Sequence, residues 1–171
     1  MRRLLSFAAL AFVVPAAWAQ ASDVEDWQWS SRVSVVVATI AVVVVCILLH
    51  YEALGWLTVR LRRIQLRARP RILVLIFAIL SIHVLEVWIF GGAYYWLTVV
   101  KDYGVLQGNH ASSLLDCVYF SAVCYSTLGL GDIIPIGDIR FLVGTEALAG
   151  FVLITWSASF TFVEMDRFWR A

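Results

Sequence analysis

Residues 119–135, YFSAVCYSTLGLGDIIP, run from an apolar helix-like segment into two glycines two residues apart, Gly129 and Gly131, followed by Asp132 and Pro135. Long apolar stretches, 72–100 and 139–163, lie on both sides. Non-helical backbone at membrane depth leaves its carbonyls without partners unless it is buried in protein or lines a water-filled path. The segment therefore reads as the lining of a pore, and the rest of the chain as its support.

The composition fits that setting. Hydrophobic residues make up 62% of the 171 positions and the mean hydropathy is +0.86, against about 45–50% apolar in an ordinary soluble domain. The formal net charge of +1 conceals a segregation: Arg60, Arg62, Arg63, Arg67, Arg69 and Arg71 fill one connection with no acid among them. The positive-inside rule puts that connection in the cytoplasm. Cys46, Cys117 and Cys124 are an odd number in apolar surroundings, which argues for small buried hydrophobes instead of a disulfide framework.

Residues 1–20 begin with Arg2 and Arg3, continue as a short apolar run and end in Ala17-Trp18-Ala19, the pattern of a bacterial-type signal peptide; an uncleaved anchor is the alternative. Trp27 and Trp29 suit the outer interface. Residues 33–49 are uncharged and, at about 17 positions, reach the lower limit for a span. The basic connection carries Leu54, Leu57, Leu61 and Ile64 at helical spacing, as expected of an amphipathic helix on the inner leaflet; a charged loop that only fixes topology is the plainer reading. His50 and Glu52 are expected to be interfacial polar residues.

Pro70 interrupts the helix, and residues 72–100 form the next span, ending in the aromatic belt of Tyr94, Tyr95 and Trp96. Within it, Ser81, His83 and Glu86 lie at membrane depth. A carboxylate there is a functional candidate by default, and His83 and Glu86 share a face at i, i+3, so they read as a possible regulatory, proton-sensitive pair or as glue between helices. An outer loop follows in which Gly104, Gly108 and Asn109 mark turns, with His110 beside them, and Ser112 or Ser113 is placed to cap a helix over 114–125 with Asp116 in its first turn. About twelve residues cannot cross a bilayer that needs about 20. That helix must enter and return, which brings Thr127-Leu128-Gly129-Leu130-Gly131 to membrane depth. Gly137 and Asp138 turn the chain outside, residues 139–163 form the last span, and Glu164, Asp166, Arg167 and Arg170 end it inside.

A dehydrated monovalent cation needs its water shell replaced by oxygens, and rings of backbone carbonyls provide them. Successive carbonyls aim at one axis only if the backbone alternates between right- and left-handed dihedrals, and glycine reaches positive φ without a Cβ penalty. Gly129 and Gly131 are placed for that alternation. The carbonyls of Thr127, Leu128, Gly129 and Leu130 would coordinate K⁺, with the Thr127 hydroxyl adding the innermost ring and Leu128 and Leu130 packing behind. One such loop per chain cannot enclose an ion, so four copies, a homotetramer, are implied.

The segment resembles the pore-loop potassium channels of the small bacterial two-helix-plus-pore type, over Tyr119-Phe120-Ser121, Ser126 to Asp132 and Pro135. Glu146-Ala147-Leu148-Ala149-Gly150 resembles that family's pore-lining helix, in which the resemblance makes Gly150 a gating hinge. The commonest filter of that family is TVGYG. Here Leu128 replaces the valine and Leu130 the tyrosine whose hydroxyl ties the filter to pore-helix aromatics, although some two-pore potassium channels of animals carry GLG. Val123 stands where some bacterial members have a glutamate that pairs with the filter aspartate, which leaves Tyr119 as the partner expected for Asp132.

The fold expected is an all-α membrane protein: an outer helix, a re-entrant pore helix with filter, and an inner helix over 72–171, preceded by one extra transmembrane helix and basic segment over 21–71. The function expected is passive K⁺ conduction in a cell (inner) membrane, with the filter toward the outside and the arginine-rich connection and C-terminus in the cytoplasm. The alternatives are a weakly selective monovalent cation channel and a non-conducting accessory subunit. Membrane lipid and K⁺ are the partners, K⁺ is the permeant ligand with no other cofactor, and no nucleic acid is expected, since topology already explains the arginines. No arginine ladder crosses the first span, which argues against voltage gating. An enzyme is disfavoured: no nucleophile elbow or phosphate loop occurs, and His50, His83 and His110 show no metal spacing in sequence.

Overall fold

A computed structural model of the chain describes the backbone of residues 2–63, 68–108 and 113–169. Ile64, Arg67, Asn109, His110, Ser112 and Arg170 lie outside the described residues, as do the side chains of residues 1–28. The elements are α1 (Arg2–Arg63), α2 (Ala68–Tyr95) running into a π turn (Trp96–Val100), β1 (Gly104–Gly108), α3 (Leu114–Tyr125), β2 (Ile133–Gly137) and α4 (Arg140–Trp169). The chain divides into two units, Met1–Ser34 and Val35–Ala171. The first contains the N-terminal part of α1, and the second holds the packed helices described below.

Among the described residues, three helical stretches have the length and composition to cross a membrane: Trp29–Leu61, Pro70–Val99 and Arg140–Arg167. Helix is the form a spanning segment takes because each backbone donor finds its acceptor within the segment. The hydroxyls in these helices obey the same constraint: Thr39 donates to the Val35 carbonyl, Ser81 to Phe77 and Thr155 to Phe151, at 2.7–2.9 Å. Ser81, a polar residue at membrane depth, is thereby satisfied on its own helix.

The first span is longer than its uncharged core suggests, because α1 continues without a break through His50 and Glu52 to Arg63. Leu54, Leu57 and Leu61 are buried and form a cluster with Leu75 and Ile79 of α2. The leucine stripe of the basic connection thus packs on protein instead of facing headgroups, since α2 offers it an apolar surface along the same length.

The larger cluster surrounds α3 and includes Phe90, Tyr94 and Leu97 of the α2 region, Cys117, Phe120 and Tyr125 of α3, and Leu142 and Leu153 of α4. Two glycines set the spacing. A Cβ on Gly91 would come within 2.7 Å of the Val118 Cα, and one on Gly150 within 2.2 Å of the Tyr125 carbonyl oxygen. Small residues of this kind let membrane helices approach backbone to backbone. Here they press α2 onto the middle of one short helix, at Val118, and α4 onto its last residue, Tyr125.

The two strands were not expected from sequence. β1 pairs antiparallel with β2, from Gly104 opposite Gly137 to Gly108 opposite Ile133. Each is five residues with a mixed apolar pattern, too short and irregular to read apart from a loop, and Pro135 is tolerated because a two-stranded ribbon has only edges. The ribbon ties the segment before α3 to the segment after the glycines and so closes the loop at its base.

Candidate functional site

The site begins at α3. Ser113 caps it through a capping box in which the Asp116 amide donates to Ser113 Oγ at 3.1 Å and the Ser113 amide donates to Asp116 Oδ2 at 3.0 Å. A cap of this type fixes where the helix starts. Because Gly91 and Gly150 hold the helix body, the point where it stops is fixed as well.

It stops at Tyr125 in a way that shapes the next five residues. The Thr127 amide donates to the Cys124 carbonyl at 2.9 Å, and the Leu128 amide to the Val123 carbonyl at 3.0 Å. This is a Schellman ending, which places the residue after the cap in the left-handed region. That residue is Thr127, with φ +59°. A β-branched residue there is uncommon, and such strain, of order 1–3 kcal/mol, persists where surrounding structure enforces it. The Gly129 amide also donates back to Val123, at 3.3 Å.

Two further left-handed residues follow, Gly129 at φ +58° and Gly131 at φ +77°. Leu128 and Leu130 are absent from the positive-φ set, so the backbone alternates at every residue from 127 to 131. Alternation of this kind turns successive carbonyls toward one side, while the amides of 127–129 are occupied by the end of α3. The glycine spacing signalled two of the three left-handed positions. The third, Thr127, was hidden because threonine gives no sign of positive φ.

Asp132 lies directly beyond. Tyr119 donates its hydroxyl to Asp132 Oδ2 at 2.7 Å, and Asp132 Oδ1 accepts the Ile133 amide at 3.1 Å. This spans the glycine segment from helix to strand. The hydrogen bond to Asp132 and, after it, the desolvation and charge there raise the Tyr119 phenol above its ordinary pKa, which keeps it a donor. Leu128 and Leu130 are 63% and 58% exposed on the single chain.

Two buried carboxylates brace α3 from inside the bundle. Glu146 of α4 accepts from Tyr94 and from Ser121, both at 2.5 Å, and so joins α2, α3 and α4 through one side chain. Tyr94, placed by sequence in an outer aromatic belt, is fully buried and stacks edge-on against Phe120 at 5.1 Å. The reason is its hydroxyl: a buried phenol needs an acceptor, and Glu146 provides it. Gly150, one turn below Glu146, sits against the last carbonyl of α3, which gives it a packing duty besides any hinge role.

The second carboxylate, Glu86, is fully buried and contacts His50 of α1, His83 of its own helix and Tyr125 of α3. The His83–Glu86 pair was legible from i, i+3 spacing. His50 was read as an interfacial residue and is instead wholly buried. Its signal lay in the carboxylate: a charge at membrane depth requires a partner from another helix, and His50 is the polar residue α1 presents at that level.

Comparison with known proteins agrees with this architecture. Residues 82–166 match the family described as ion channel. A 60-residue stretch is 33% identical to Protein LctB of Geobacillus stearothermophilus, covering 35% of this chain and 45% of that protein, so the match spans less than half of the relative's length. No solved structure matches the chain.

Proposed function

Residues 82–166 form an ion channel domain of that family, and we propose that the chain is a potassium-preferring channel in which four copies conduct K⁺ passively through a pore lined by Thr127 to Gly131. The observation that carries this reading is the alternation of φ over 127–131, because it supplies a column of carbonyl oxygens with their own amides turned away. A single column surrounds nothing. Four about an axis make rings of four oxygens, and the exposed Leu128 and Leu130 then find their packing partners on neighbouring chains.

The proposal includes the filter's orientation. The arginine-rich connection faces the cytoplasm of the cell membrane, α2 carries the chain outward, α3 re-enters, and α4 returns it inward, so the filter opens to the outside. The C-terminal end of α3 directs its partial negative charge toward the entering cation. Asp132 and Tyr119 support the filter, and Glu146 fixes the helix behind it.

Leu130 favours one specific competitor, a pore that passes Na⁺ nearly as well. Leucine offers no hydroxyl to hold the filter at fixed width, so selectivity rests on packing and on the Tyr119–Asp132 bond. Reversal potentials of the purified protein in lipid vesicles or planar bilayers under a K⁺/Na⁺ gradient separate the two. The expected result is a permeability ratio of at least about ten, which corresponds to roughly 1.4 kcal/mol of discrimination. A ratio near one establishes the weakly selective pore, and absence of any cation flux establishes a non-conducting accessory subunit.

A further inference from the structure

Four elements of the bundle meet at one buried polar cluster. His50 Nδ1 lies 2.9 Å from Glu86 Oε1, and His83 Nδ1 lies 3.0 Å from Glu86 Oε2. Tyr125, the last residue of α3, donates its hydroxyl to Glu86 Oε2 at 2.5 Å and lies 2.9 Å from His83 Nδ1. Ser157 of α4 lies 3.1 Å from His50 Nε2. One donor atom from each of His50, His83 and Glu86 falls within 4.8 Å of the others. We propose that these three side chains form a binding site for a divalent transition metal of the zinc class, with the Tyr125 hydroxyl or a water as fourth donor.

The donor set selects the ion. Two imidazoles and a carboxylate suit zinc and its neighbours, whereas magnesium and calcium take oxygen ligands. Zinc binds nitrogen and oxygen at about 2.0–2.2 Å in a tetrahedron, so both histidine–carboxylate pairs already stand near the separation required. The three ligand atoms lie within 4.8 Å of one another, against the roughly 3.3 Å that a tetrahedron of such bonds sets between ligands. The ring centroids of His50 and His83 are 5.3 Å apart.

The surroundings have what a metal site needs beyond its ligands. A ligating histidine nearly always uses its second nitrogen to bond an outer partner that fixes the tautomer. Ser157 is in place for this at His50 Nε2. A metal held at the two Nδ1 atoms would leave each imidazole neutral with its proton on Nε2, which His50 donates to Ser157, and would set its charge against the Glu86 carboxylate. An apolar cavity of about 500 Å³, bordered by Ile79, Leu80, His83, Ile154 and Ser157, adjoins the cluster. Occupancy bears on the pore lining because the metal competes with the Tyr125 hydroxyl for Glu86, and Tyr125 stands two residues before Thr127.

The test uses the full chain purified in detergent, stripped with a chelator and titrated calorimetrically with zinc chloride. Saturable binding of one zinc per chain is expected. His50→Asn and His83→Asn should each weaken it by about tenfold or more, while Glu52→Gln, an exposed acid near His50, should leave it unchanged. X-ray absorption of the zinc-loaded wild-type chain is expected to show two imidazole nitrogens with oxygen donors, a readout that does not depend on either variant folding. No saturable zinc binding, a shell of oxygens only, or an unchanged affinity in the double histidine variant overturns the site.

Discussion

Gly131→Ala is expected to reduce K⁺ flux in reconstituted vesicles at least a hundredfold while leaving helix content unchanged. Gly131 has φ +77°, and apart from its chain neighbours no atom of the described residues lies within 4 Å of where a Cβ would stand. The penalty is therefore conformational and not a clash with a neighbour. An L-residue held in the left-handed region costs about 1–2 kcal/mol, so four copies in one assembly add about 4–8 kcal/mol. The cheaper outcome is for the peptide to rotate, which turns a carbonyl off the axis and breaks the column. Gly92→Ala is the matched control: Gly92 lies inside α2 with open space at its Cβ position, and alanine there should leave flux as it was. Wild-type flux in Gly131→Ala would remove the lining role from this segment.

Gly150→Ala should be nearly as damaging, by a different route. The added methyl would fall 2.2 Å from the Tyr125 carbonyl oxygen and 2.9 Å from its carbon. Both are backbone atoms, which cannot rotate away as a side-chain tip would. Overpacking of this kind costs about 1–3 kcal/mol, and here the displaced group is the end of α3 from which the lining departs. The expected result is a lower melting temperature in detergent together with reduced flux. Gly144→Ala, on the same helix with nothing within 4 Å, should change neither. A hinge role alone gives a different outcome: intact stability with altered opening. Melting and flux measured on the same preparations therefore separate packing from hinge at Gly150.

Much of this arrangement is legible in the sequence, for definite physical reasons. The three spans follow from long apolar runs, the first without any charge and the others with few. The limits of α3 follow from Ser113, Asp116 and a run too short to cross. Gly129 and Gly131 announce positive φ because glycine is the usual residue that tolerates it. The Tyr119–Asp132 contact was reachable by asking what partner the aspartate has left when Val123 offers none.

What stayed hidden depends on contacts between distant segments. Thr127 adopts its left-handed φ because the Schellman ending of α3 enforces it, and no local preference of threonine predicts that. The ribbon of Gly104–Gly108 with Ile133–Gly137 pairs segments separated by a whole helix, with too few residues for a period to register. Tyr94 and His50 each looked interfacial because position along the helix was the only guide. Their burial follows from Glu146 and Glu86, carboxylates on other helices that need donors. Gly150 looked like a hinge, and only the approach of the Tyr125 carbonyl gives it a second reason to be glycine.

The most direct test of a pore lined by residues 127–131 is an experimental structure of the purified assembly in potassium. Fourfold symmetry is expected, with ion density on the axis level with the carbonyls of Thr127, Leu128, Gly129 and Leu130. An assembly with these residues facing lipid, or one with no central axis through them, would contradict it.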